Sequence, residues 1–197
     1  YGDAVFETLR AYGGDVFRWD AHADRLEGSA DAISLDHGLD RDELKRRVDE
    51  TLRANDLRDA YVKLSVTRGV QPGKLTPAAD VDPTVVVQVK PLPRGGVDSD
   101  PIWDGPATLQ TVKTRRVPDA AIPSGAKTHN YLNGILARLE LRVSDADEAV
   151  MLDADGRLAE GATSNLFFVD GDALRTPSLD GPVLPGITRA TVLDIAS

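Results

Sequence analysis

"AVFETLRAYGGDVFRW", residues 4–19, alternates apolar and polar side chains on both sides of Gly13-Gly14. A period of two puts one set of side chains on a buried face and the other on an open one. The paired glycines supply the positive φ angles that a tight connection between antiparallel strands needs. The stretch therefore predicts strand, turn, strand. Moving outward, Asp20 is placed to cap a helix in which Leu26, Ala30 and Ile33 share a face. A second helix carries Leu44, Val48 and Leu52 at intervals of four. "AYVKLSVTRG" (60–69) and "PTVVVQVKP" (83–91) are rich in β-branched residues and predict two further strands. Residues 1–93 are thus expected to form a small α+β domain.

"KPLPRGGVDSDP" (90–101) concentrates Pro, Gly, Ser and Asp, and residues 94–101 are expected to link this domain to a second one over 102–197. In the second, "ATLQTVKT" (107–114) predicts a strand, and a helix is expected from about Tyr131 to Arg142. "EAVMLDADGRLAEGATSNLFFVDGDALRTP" (148–177) holds turn signals at Asp155-Gly156 and Asp170-Gly171 between apolar runs, the pattern of antiparallel hairpins.

The composition narrows the function. There are no cysteines, which excludes disulfides, thiolate catalysis and Cys-built zinc sites. The three histidines, His22, His37 and His129, are scattered, which argues against a histidine metal centre. A net charge of -9 speaks against nucleic-acid binding, which needs clustered positive charge. Only six of the 23 basic residues are lysines, and acidic residues number 32, a balance that predicts a surface adapted to high salt. No apolar run is long enough for a membrane-spanning helix and the N-terminus has no signal-like region, so a cytoplasmic location is expected. The only methionine is Met151, and "ITRATVLDIAS" (187–197) stops within a helical pattern. A piece of a longer protein is the expectation at both ends.

Four local features carry chemistry. "SGAKTHNYLNGILA" (124–137) sets Lys127 just ahead of a helical pattern. A cation at a helix start is electrostatically disfavoured, so its place needs a reason. Lysine amines in partly buried settings are nucleophiles toward aldehydes. "RLAEGATSNLFFV" (157–169) places Glu160 before Gly161, Ala162, Thr163 and Ser164, small residues that let a flat ligand approach the backbone. A carboxylate there can hold a protonated pyridine nitrogen. "GPVLPGITRATVLDI" (181–195) feeds a Pro-Gly turn into a helix, leaving the backbone N–H groups of Ile187 and Thr188 to meet a phosphate. "HADRLEGSA" (22–30) offers Arg25 as a second grip on the same phosphate. Each feature has an ordinary structural explanation, but together they supply what a pyridoxal phosphate enzyme requires.

The chain resembles the class IV aminotransferases, the fold-type-IV pyridoxal phosphate family that includes branched-chain and D-amino acid aminotransferases and aminodeoxychorismate lyases. The resemblance covers essentially the whole chain through "YGDAVFETLR" (1–10), "HADRLEGSA" (22–30), "VTRG" (66–69), "KTHNYL" (127–132), "EGATSNLFF" (160–168) and "LPGITR" (184–189), in family order. It implies an α+β fold of two domains: a small N-terminal α/β sandwich and a larger C-terminal domain with an antiparallel barrel-like sheet. Lys127 would bind the cofactor as a Schiff base and shuttle the proton. Tyr131 would contact the phenolate oxygen and Glu160 the pyridine nitrogen. Arg25, Ile187 and Thr188 would hold the phosphate, with Thr163 and Ser164 lining the cofactor. The resemblance also implies a homodimer whose active sites borrow residues from the partner.

Branched-chain enzymes typically have Phe-Glu-Gly in the first motif, Glu-Asn after the cofactor glutamate, and two glycines after the lysine. Here Phe6-Glu7-Thr8, Ser164-Asn165 and Lys127-Thr128-His129-Asn130 depart from all three. Arg68 in "VTRG" is available to a substrate carboxylate, and Lys63, five residues earlier, leans toward the lyase. Tyr1 and Phe6 are candidate walls of an apolar substrate pocket. Transamination of an amino acid with a 2-oxo acid is the leading expectation, and formation of p-aminobenzoate and pyruvate the alternative. A non-catalytic paralogue would normally lack the lysine. A hydrolase built on Ser124 or Ser164 with His129 lacks an acid partner and a nucleophile elbow.

Overall fold

The alternation of residues 4–12 is realised as β1 (Ala4–Tyr12), which turns through Gly13 and Gly14 into β2 (Asp15–Val16). The two glycines have φ of 64° and 101°, and the Tyr12↔Asp15 register leaves them as a two-residue loop. The computed structural model describes residues 2–70, 73–78, 82–92, 94, 100–101 and 104–197. Tyr1 and most of the expected linker therefore lie outside the described residues. Two compact units result: Tyr1–Asp104 with Ala126–His129, and Gly105–Gly125 with Asn130–Ser197.

In the first unit, β3 (Ala60–Thr67) and β4 (Thr84–Pro91) complete an antiparallel sheet of order β2-β1-β3-β4. The register sets Val5, Leu9 and Ala11 against Val66, Val62 and Ala60, so these six share one face. Helices α1 (Trp19–Ala32) and α2 (Arg41–Ala54) lay Leu26, Leu44, Val48 and Leu52 over it. Every one of these ten side chains is 2% exposed or less. Asp40 caps α2 by accepting a hydrogen bond from the Glu43 N–H at 2.7 Å. At α1 the cap position is Arg18, in the left-handed region with φ 52°. Asp20, the expected cap, instead lies within the first turn, where its charge still complements the helix dipole.

In the second unit, β5 (Leu109–Thr111), α3 (Leu132–Leu139), a 3-10 turn over Glu140–Val143, β6 (Glu148–Leu152) and β7 (Leu158–Gly161) follow in order. The three strands form a sheet of order β5-β6-β7. β5 and β6 run parallel, with α3 in the crossover that parallel pairing requires, whereas β6 and β7 form the expected hairpin around Gly156. β8 (Phe168–Asp170) and β9 (Ala173–Arg175) form the other hairpin, around Gly171. α4 (Ile187–Ala196) follows. Val112, Ala137, Leu141, Ala149 and Met151 make the core of this unit.

The buried and exposed leucines make a direct test of this packing. Leu26→Ala, at a site 1% exposed, is expected to cost about 3 kcal/mol in denaturant unfolding. Leu132→Ala, at a site 67% exposed, should change stability by less than about 0.5 kcal/mol.

Candidate functional site

β2 pairs only with the far end of β1, so the edge at Ala4–Phe6 is left for another partner. Residues 126–129 take it. The Phe6 N–H donates to the Lys127 carbonyl at 3.0 Å and the His129 N–H to the Ala4 carbonyl at 2.9 Å, with Val5 bridged to Thr128. In this antiparallel register Lys127 stands opposite Phe6 and His129 opposite Ala4. Both side chains therefore leave on the sheet face away from α1 and α2, while Thr128 points to the core side and is buried. The Lys127 Nζ lies 4.6 Å from the centroid of the Phe6 ring. Lys63, opposite Thr8 on that same face, sets its own Nζ 4.6 Å from the same centroid. The His129 ring meets Phe6 edge-on at 4.9 Å.

Two ammonium groups on one ring are each attracted to its π face but repel one another, so an anion entering here is stabilised. Burial, and secondarily the Lys63 charge, pushes the His129 pKa below its ordinary value of 6.5. The imidazole is therefore neutral near pH 7, and its Nε2 is buried without a hydrogen-bond partner. Arg68 is committed elsewhere. Its Nε and Nη2 donate to Asp3 at 2.6 and 2.9 Å, and its Nη1 and Nη2 to the Ser34 and Ile33 carbonyls, both at 2.7 Å. Together with Thr67, Lys74 and His129 it lines a cavity of about 500 Å³. A substrate carboxylate could reach the guanidinium there only by exchanging with Asp3.

Arg25 comes from α1. Its Nε and Nη2 donate to the two oxygens of Glu7 at 2.8 and 2.6 Å, and the His22 Nδ1 lies 2.6 Å from the same carboxylate. Burial alone would push the Glu7 carboxyl pKa up. The hydrogen bonds and charges of Arg25 and His22 outweigh it and hold the pKa below the ordinary 4.5. On the other side of Arg25, Ser29 donates to the Arg25 carbonyl at 2.7 Å and accepts from the Lys127 N–H at 2.9 Å.

The remaining candidates lie in the second unit. Tyr131 occupies the cap position of α3. Glu160, on β7, is 7% exposed: Arg116 pairs with its Oε1 at 2.8 Å and the Leu184 N–H donates to its Oε2 at 2.9 Å. Asn165 joins this carboxylate to the start of α4, donating to the Leu184 carbonyl at 2.9 Å and, more weakly, to Glu160 at 3.5 Å. Thr163 and Ser164 are exposed on the turn after β7, each hydroxyl 3.4 Å from Glu148. A Cβ at Gly161 would lie 2.2 Å from the Ser164 Oγ, which would have to turn away, and 3.2 Å from the Ser164 carbonyl oxygen. Ile187 and Thr188 begin α4, whose cap position is Gly186 and whose first turn receives no side-chain cap. Among the described residues no side chain therefore caps the first N–H groups of this helix.

Each unit holds groups that suit part of a phosphorylated pyridine aldehyde: the first has an amine at Lys127 and an oriented guanidinium at Arg25, and the second a carboxylate paired with Arg116 and a helix start without a side-chain cap. Sequence reasoning missed Glu7, His22, Ser29 and Arg116. Glu7 carried a readable signal, a carboxylate at a core position of the Val5-Leu9-Ala11 alternation. Arg116, in an irregular loop, carried none. Because the folded pKa of Glu7 is depressed, its stabilisation is present above pH 4.5 and lost as pH falls through the folded value. At pH 7, Glu7→Gln is expected to be about 3 kcal/mol less stable than wild type, and the gap should close on acidification in a pH series of unfolding curves.

The family model for amino-transferase class IV matches residues 4–197. A putative branched-chain-amino-acid aminotransferase of Methanocaldococcus jannaschii is 40% identical over the whole of this chain and 66% of its own length. Aminodeoxychorismate lyase of Bacillus subtilis is 32% identical over the whole of this chain and 65% of its own. Among solved structures, the branched-chain aminotransferase of Thermoproteus uzoniensis with norvaline superposes with a TM-score of 0.90 at 35% identity, covering 100% of this chain and 66% of that one. The chain thus spans just under two thirds of the length of these relatives, and its fold is that of fold type IV. The departures from the branched-chain motifs at Thr8, Ser164 and His129 do not remove its likeness to proteins of that name. With a matched length that takes in Lys127, Glu160 and the α4 start alike, the chain belongs to the class IV aminotransferases.

Proposed function

We propose that the protein is a pyridoxal-phosphate-dependent aminotransferase that moves an amino group between an amino acid and a 2-oxo acid. The observation that carries this reading is the pairing of residues 126–129 with β1, which presents the Lys127 amine on the open face of the sheet beside Phe6 and Lys63. Pyridoxal phosphate, when bound, supplies an aldehyde that condenses with amines and a ring that accepts electrons. Lys127 would hold it covalently, Glu160 its ring nitrogen, and Tyr131 its phenolate oxygen. Arg25 and the amides of Ile187 and Thr188 would hold its phosphate, and Thr163 and Ser164 would flank it. The Lys127 Nζ would take the proton from the substrate Cα. Lys63 attracts a substrate carboxylate, Phe6 walls an apolar portion, and Arg68 offers a further carboxylate contact on exchange with Asp3; the other expected wall, Tyr1, lies outside the described residues.

A homodimer, a boundary between domains at 94–101, a cytoplasmic location and a salt-adapted surface belong to the same proposal. The excess of 32 acidic over 23 basic residues supports the last. The likeness to the Bacillus subtilis lyase favours a second reading, release of pyruvate and p-aminobenzoate from aminodeoxychorismate.

Borohydride reduction of the full-length protein with pyridoxal phosphate is expected to fix the cofactor to the peptide carrying Lys127, and to fix none in Lys127→Ala. Loss of the base should lower turnover by at least about 10³-fold. Branched-chain amino acids with 2-oxoglutarate are then expected to yield the matching 2-oxo acid. Formation of p-aminobenzoate from aminodeoxychorismate with no 2-oxo acid present would replace the transaminase reading with the lyase.

A further inference from the structure

Ser29 is 1% exposed and lies one helical turn after Arg25. A serine that bonds back to the carbonyl four residues earlier is a common, mildly destabilising feature of helices. This one does something more. Its hydroxyl donates to the Arg25 carbonyl at 2.7 Å and accepts from the Lys127 N–H at 2.9 Å, across 98 residues of chain. Neither role can reverse, because a carbonyl cannot donate and a backbone N–H cannot accept. One oxygen therefore couples the main chain of Arg25 to that of Lys127.

The other ends of both residues are fixed to β1. Glu7 clamps the Arg25 guanidinium by its Nε and Nη2, and the adjacent residue, Phe6, holds the Lys127 carbonyl. The loop of bonds Lys127–Ser29–Arg25–Glu7–Phe6–Lys127 fixes the main chain from which the Lys127 side chain springs relative to the Arg25 guanidinium. From this we infer that Ser29 is a positioning residue, which places the Lys127 amine so that it meets the aldehyde of a pyridoxal phosphate molecule while Arg25 holds its phosphate. The inference rests on the roles given to Arg25 and Lys127 under Proposed function. Holding the phosphate makes attack on the aldehyde effectively intramolecular, and that advantage depends on the geometry of the two groups.

The test compares pyridoxal phosphate with pyridoxal, which lacks the phosphate. In both, the Lys127 nitrogen bonds to the aldehyde carbon, the carbonyl oxygen leaves as water, and borohydride reduces the resulting C=N to a stable amine that mass spectrometry counts. The quantity read is the ratio of capture rates for the two aldehydes in the full-length protein. Ser29→Ala is expected to lower that ratio by on the order of tenfold, with capture of pyridoxal unchanged. Ser29→Thr, which keeps the hydroxyl, should retain the wild-type ratio. Ser29→Cys fills the same space with a weaker donor and acceptor, and is expected to lower the ratio even if the alanine variant fails to fold.

An unchanged ratio in Ser29→Cys or Ser29→Ala, while Arg25→Ala lowers it, would overturn the inference and leave the role of Arg25 standing. Equal slowing toward both aldehydes would also overturn it, since that is the mark of general damage to the fold. A wild-type ratio in Arg25→Ala would instead remove Arg25 from the phosphate, and the inference with it.

Discussion

The pairing of four residues, 126–129, with the exposed edge of β1 is the constraint on which the rest of the chemistry depends. An unpaired strand edge presents a row of backbone donors and acceptors that must find partners. Here the partner is the segment that carries Lys127, held by bonds from Phe6 and to Ala4. Because side chains alternate along a strand, this register decides that Lys127 and His129 face away from the helices and Thr128 toward them. A shift by one residue would bury the amine against the core.

Buried carboxylates are the second organising feature, one in each unit. Glu7 sits among apolar residues and is tolerated because Arg25 and His22 neutralise it and satisfy its oxygens. Glu160 is likewise held by Arg116 and by the Leu184 amide. Each pair costs desolvation and is weak evidence for stability, yet each orients a charged group with little freedom left. Such orientation is what a site needs if it is to hold a ligand without rearranging.

The face around Phe6 shows how charge is concentrated where the surface as a whole is acidic. Two of the six lysines, Lys63 and Lys127, meet at one aromatic ring in a chain of net charge -9. Their mutual repulsion favours an anionic occupant, and the neutral His129 beside them adds a hydrogen-bonding group without adding charge. Two of the three departures from the branched-chain motifs, at Thr8 and His129, fall on and beside this face. Likeness in overall fold to branched-chain enzymes and local difference on this face are therefore compatible.

The sequence by itself determined the local elements and their chemistry. The alternation of residues 4–12 around Gly13-Gly14, the fourfold spacing of Leu44, Val48 and Leu52, the Asp-Gly turns, and the amine, carboxylate, arginine and helix start were all legible, because periodicity and turn chemistry act over a few residues. Only tertiary structure decided which distant groups meet. The parallel pairing of β5 with β6, the return of residues 126–129 to β1, the commitment of Arg68 to Asp3, and the bonds from Ser29 to Lys127 and from Arg116 to Glu160 each join residues far apart in the chain. Such partners are selected by the packing of whole faces and by the need to satisfy every buried polar group, and neither leaves a mark at short range.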